Sequence, residues 1–100
     1  MTATICDPAQ LTSQQYELIR VAKHNRGQLT VAVRSDTHGL AVRGRMAGRD
    51  VRFFDPQDPS VAEQHLSALR ELVDHLLLSQ RSRDVYELTN LGWHLSRKIH

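Results

Sequence analysis

The middle of the chain alternates apolar and polar residues with a period of two, and this alternation limits the fold more than any other feature. It runs through residues 28–34 and 40–45, and residues 51–54 form a third short run. A period of two is typical of β-strands that bury one face. Turn-forming residues at 35–39 and 47–50 separate the three runs. The sequence therefore predicts a three-stranded antiparallel meander.

Helices are predicted on both sides of this meander. The first begins after Thr12 or Ser13, either of which can cap it, and it stops at an Asn-Arg-Gly sequence. The second covers about residues 59–80 and carries leucines at helical spacing. Its start is marked either by Asp58 followed by proline or by a capping box that begins at Ser60.

A short strand at 84–88 and a last helix capped by Thr89 complete the predicted order α-β-β-β-α-β-α. Three successive leucines, 76–78, lie near the end of the second helix. One core-facing stripe cannot bury all three. Either the helix ends near them, or one leucine faces a partner.

Length and composition predict a single domain. The chain has 100 residues, of which 40% are hydrophobic and 24% charged. Residues 1–10 are expected to form a loose N-terminal lead-in, and residues 11–100 the domain. No apolar run approaches the roughly 20 residues of a membrane span. The single cysteine, Cys6, cannot form an intrachain disulfide, and the first residues lack the features of a signal peptide. We therefore expect a cytoplasmic protein that does not enter a membrane.

The end of the chain carries a recognisable pattern. Residues 86–95 read Tyr-Glu-Leu-Thr, two residues, Gly, two residues, Leu, and residues 69–73 supply a preceding Leu-x-x-Leu-Val helix. This combination resembles the strand-to-helix ending of many bacterial winged-helix-like domains. In such an ending Gly92 would permit close packing of the helix on the sheet.

The upstream half adds Phe-Phe-Asp at 53–55 and Asp-Pro at 58–59. With these, residues 11–99 resemble a small domain of uncharacterised prokaryotic and phage proteins, including relatives of superinfection-exclusion proteins. The resemblance implies an α+β, winged-helix-like fold in a bacterial or phage-related protein. That family usually has a glycine-containing turn after the Leu-x-x-Leu-Val helix, whereas this chain has His-Leu-Leu-Leu at 75–78.

Positive charge is concentrated in and before the meander. Residues 20–52 hold eight basic residues against two acidic ones, whereas residues 53–87 hold three arginines against seven carboxylates. Period two sends the strand arginines to the face opposite the core, and the adjoining turn adds one more. The candidate binding residues are Arg34, Arg43, Arg45, Arg49 and Arg52. Such a face suits nucleic-acid phosphates or an acidic protein, although it could also serve only to keep the sheet soluble and its edges protected.

No pattern in the sequence indicates catalysis. The six histidines lie at unrelated spacings, and neither a Gly-x-Ser-x-Gly elbow nor a phosphate-binding glycine loop is present. We therefore expect no enzyme activity, catalytic residue, metal, cofactor or small-molecule substrate. The predicted function is a small binding module that contacts nucleic-acid phosphates.

The alternative is a protein–protein interaction or adaptor module, phage- or defence-associated, that acts as a homodimer. Apolar residues beyond what one small core absorbs would form its interface. They are Leu76, Leu77, Leu78 and Trp93.

Overall fold

The computed structural model describes residues 5, 7–33 and 39–99 of the chain. Three helices and five strands follow a short 3-10 turn, so the α+β class is confirmed. The elements are the turn Pro8–Gln10, α1 (Ser13–His24), β1 (Gln28–Val33), β2 (Leu40–Met46), β3 (Arg49–Arg52), α2 (Pro59–Asp74), β4 (Leu78–Gln80), β5 (Val85–Leu88) and α3 (Asn90–Ser96).

The five strands form one antiparallel sheet in the order β3-β2-β1-β5-β4. The predicted meander is confirmed as β1, β2 and β3. The predicted order of elements is wrong in one place, because β4 stands between α2 and β5. The β4–β5 hairpin pairs with β1, so β1 lies at the centre of the sheet.

All three helices lie on one face of this sheet and enclose a single core. Leu29, Val42 and Leu88 are buried strand residues that face the helices. α1 comes close enough to β2 that a Cβ at Gly44 would lie 2.5 Å from Val21 Cγ1. α2 contacts β2 and β4, and Leu95 of α3 is buried in the same core.

Local capping determines where each helix begins. The Thr12 hydroxyl accepts a hydrogen bond from the Gln15 N–H at 3.2 Å, so Thr12 rather than Ser13 caps α1. Asp58 caps α2 by accepting from the hydroxyl and the N–H of Ser60, and these two bonds hold the pKa of Asp58 below its ordinary value of 3.8. Thr89 caps α3 by accepting from the Gly92 N–H.

The second helix ends earlier than predicted, at Asp74 instead of residue 80. The Leu76 N–H donates to the Val73 carbonyl at 3.0 Å, and the Leu77 N–H donates to the Leu72 carbonyl at 2.9 Å. These two bonds form a Schellman motif, with Leu76 in the left-handed conformation at φ 63°. The reversal turns Leu77 and Leu78 into the core and leads directly into β4.

Close packing joins this turn to α3. A Cβ at Gly92 would lie 2.1 Å from the Leu77 carbonyl oxygen and 3.0 Å from Leu88 Cδ2. The Thr89 N–H also donates to the Leu77 carbonyl, at 3.1 Å. The expectation that Gly92 permits close packing is thus confirmed, and its main neighbour is the turn after α2.

Part of the predicted lead-in is structured. Asp7 caps the turn Pro8–Gln10 in a capping box, and Ile5 packs against the core. The rest of the lead-in, residues 1–4 and 6, lies outside the described residues.

Candidate functional site

Three of the five predicted arginines share the sheet face opposite the helices, which we call the open face. Arg43 pairs across the strands with Arg52, and Arg45 pairs with Asp50. The intervening residues Val42 and Gly44 are buried on the helix side, so alternation directs the arginines away from the core. Arg43, Arg45 and Arg52 are called the arginine cluster below.

Arg49 lies on the other side of the sheet. It is the first residue of β3 and pairs with Met46, whose side chain packs against the core. The expectation that it lies in the turn and joins the other arginines is wrong. The turn contains only Ala47 and Gly48, so β3 begins two residues earlier than expected. Arg34 and residues 35–38 of the predicted first turn lie outside the described residues.

Two like charges face each other directly within the arginine cluster. The Phe53 N–H donates to the Val42 carbonyl at 3.0 Å, which makes Val42 and Phe53 a hydrogen-bonded pair. The next pair, Arg43 and Arg52, is then a non-hydrogen-bonded pair, in which Cα atoms are about 4.5 Å apart and side chains are closest. Like charges at directly opposite positions destabilise a sheet. The free protein therefore holds an electrostatic repulsion here.

A single carboxylate partly balances the cluster. Asp50 Oδ1 lies 3.6 Å from Arg45 Nε, and Asp50 Oδ2 lies 3.9 Å from Arg43 Nη2. Both distances exceed those of a normal charged hydrogen bond. The Asp50 side chain is also 55% exposed to water. Among the described residues Arg52 has no ion-pair partner, so the cluster keeps a positive excess.

The other half of the open face has its charges paired. Glu87 of β5 stands opposite Gln28 and Ser79, and its Oε2 lies 2.9 Å from Arg81 Nε. Thr30 and Ala32 of β1 occupy the middle of the face. Among the described residues of the open face, the positive excess therefore lies on β2 and β3.

Three of the four residues predicted to form the dimer interface are buried or half-buried within a single chain. Leu77 and Leu78 are fully buried in the core, so the prediction that they contact a second copy is wrong at these two positions. Trp93 is half-buried, and its ring packs on the backbone of Gly27, where a Cβ would lie 2.5 Å from Cζ2. Leu76 alone of the four is exposed, at 65%.

A cleft of about 600 Å³ lies between α1 and α2. Its two carboxylates, Glu63 and Glu71, are eight residues apart on α2, which is about 12 Å along a helix. Within residues 5, 7–33 and 39–99, no group of three or more His, Cys, Asp or Glu side chains is placed to hold a metal ion.

The sequence analysis places Asp50 only in the charge count and in a turn, whereas the structure places its carboxylate beside Arg43 and Arg45. Its alternation with Arg52 places both side chains on one face, and the sequence alone contains this signal.

No family model, curated protein or solved structure matches the chain. Over the part of the chain that the structure describes, no helix is both long and apolar enough to cross a membrane.

Proposed function

We propose that this protein is a small, non-enzymatic binding module that contacts nucleic-acid phosphates through its arginine cluster. The direct opposition of Arg43 and Arg52 on the open face carries the proposal. A phosphate between two guanidinium groups would replace a repulsion with two charge-assisted hydrogen bonds. The proposal includes a cytoplasmic location, which fits a protein that binds nucleic acid.

The contacts would be mostly to the backbone and not to bases. Base edges are read by side chains such as Asn and Gln beside the arginines. β2 and β3 carry neither residue, and Gln28 lies across the sheet, next to Glu87. The expected binding is therefore strongly salt-dependent and weakly sequence-dependent.

The sheet is a better candidate surface than the helices, even if the winged-helix-like resemblance is correct. Winged-helix domains usually place a helix in the major groove. Here α2 exposes Glu63, Glu71 and Asp74 against Arg70, so phosphates would repel it. α3 has seven residues, and Thr89 and Gly92 hold its first turn against the end of α2.

Fluorescence anisotropy with labelled duplex and single-stranded oligonucleotides at several salt concentrations tests the proposal. Three phosphate contacts predict a slope of about −2 to −3 for log affinity against log salt. The double change Arg43→Ala/Arg45→Ala should weaken binding to all sequences alike and flatten that slope by about 2.

The matched control is Arg49→Ala, because Arg49 adds the same charge to the same hairpin but lies on the helix side. It should leave the slope almost unchanged. Absence of binding by the unmodified protein at low salt and high micromolar concentration would overturn the nucleic-acid proposal and favour an acidic protein as the partner.

A second candidate function, homodimeric protein–protein interaction, is favoured by one observation at Leu76. This leucine is held in the left-handed conformation and is 65% exposed. Burial of Leu77 and Leu78 already offsets the cost of the left-handed conformation, so the exposed apolar side chain is the feature that favours a partner. Leu91, at the start of α3, adds a second exposed leucine to this end of the molecule. A single species of about 11 kDa by light scattering at high micromolar concentration would exclude the homodimer.

A further inference from the structure

Asp50 occupies an unusual position in the arginine cluster. It reaches two guanidinium groups at once but comes within hydrogen-bonding distance of neither, at 3.6 and 3.9 Å. More than half of its side chain is in contact with water. An exposed ion pair with this geometry contributes little to folding stability.

We propose that Asp50 is an internal counter-anion that a bound phosphate displaces. This inference rests on the function proposed above and concerns regulation of the same site. In the free protein the carboxylate lowers the repulsion among Arg43, Arg45 and Arg52. When a phosphate binds, its oxygens take the guanidinium N–H groups at about 2.7–2.9 Å, and Asp50 turns toward water.

The same carboxylate then opposes binding. A phosphate that bridges Arg43 and Arg52 comes within about 6 Å of Asp50, because the three side chains occupy adjacent positions of two paired strands. At such a distance two like charges repel appreciably even in a water-like dielectric. Asp50 therefore keeps the affinity low, so that the protein releases phosphate backbones readily.

The test is Asp50→Asn, which removes the charge and preserves the shape. Duplex affinity at low salt should rise about threefold to tenfold, as expected for removing one like charge at about 6 Å. The salt slope should change by less than about 1, because the variant binds phosphates through the same three arginines.

Glu87→Gln is the matched control. It makes the same change in net charge on the same face, but Glu87 is paired with Arg81 on the far half of the sheet. Its effect on affinity should stay within about twofold. Asp50→Ser is measured beside Asp50→Asn. Thermal unfolding of both variants shows whether either change alters the hairpin.

The outcomes separate the two proposals. Tightening by both Asp50 variants well beyond that by Glu87→Gln supports displacement. Equal effects of Asp50→Asn and Glu87→Gln, or weaker binding by both Asp50 variants, overturn the role of Asp50 while nucleic-acid binding by the unmodified protein still stands. If the unmodified protein and all three variants fail to bind, the proposed function itself fails.

Discussion

Two regions of the molecule each contain an unfavourable feature, and they differ in how far it is offset. One is the corner, residues 75–78, where the turn after α2 packs against the start of α3. The other is the hairpin formed by β2 and β3. At the corner, a left-handed Leu76 is offset by burial of Leu77 and Leu78 and by contact with Gly92. At the hairpin, the opposed charges of Arg43 and Arg52 face water, and only an exposed carboxylate partly balances them. Strain that packing offsets supports the fold, whereas repulsion that is only partly balanced at the surface favours the binding of a ligand. Changes at the corner should therefore act on stability, and changes on the open face should act on binding.

Gly92→Ala should have the largest effect. The new Cβ would lie 2.1 Å from a backbone carbonyl oxygen, so α3 must move away from the turn after α2. The free energy of unfolding, measured with urea, should fall by about 3 kcal/mol or more.

Gly48→Ala is the control for this change, since nothing lies within 4 Å of its Cβ and only its φ of +77° is unfavourable. It should cost about 1 kcal/mol. Equal losses from the two alanines would contradict the contrast between the corner and the hairpin.

Leu76→Gly should raise stability by about 1 kcal/mol, because glycine adopts the left-handed C′ conformation of a Schellman motif without the clash of a side chain. The same change removes an exposed leucine from the candidate dimer surface. Chemical denaturation measures the effect of the change on stability, and light scattering measures its effect on dimer formation. A more stable monomer formed from a dimeric parent would support the homodimer, and a loss of stability would show that Leu76 has a packing role that its exposure does not indicate.

Arg52→Thr should have the smallest effect on stability. It should stabilise the sheet slightly and weaken the binding of nucleic acid. Removing one member of the like-charged pair should stabilise the sheet by a few tenths of a kcal/mol, since threonine also suits a strand. The anisotropy salt slope should flatten by about 0.9 as one phosphate contact is lost. If binding and stability both fell, Arg52 would be part of the packing and the separation of the two regions would not hold.

Much of the fold could be predicted because its signals are local. Thr12, Asp58 and Thr89 cap helices through bonds to residues two or three positions away, so their neighbours in sequence suffice. The side on which Arg43 and Arg45 lie follows from a period of two within one strand. The structure contradicts the expected end of α2, the expected side of Arg49 and the expected exposure of Leu77 and Leu78, and each of these depends on contacts between separate elements.

By itself, the sequence determined the start of α3, the meander and the face that carries Arg43, Arg45 and Arg52, since each follows from hydrogen bonds or alternation within a few residues. For α1 and α2 it left two candidate caps each. Only the tertiary structure decided that α2 ends at Asp74, because the left-handed conformation of Leu76 that stops the helix is costly for a leucine and is offset here by burial of Leu77 and Leu78. Tertiary structure also decided the side of Arg49 and the closeness of Asp50 to Arg43. Both depend on the register between two strands, which the turn geometry and core packing set together.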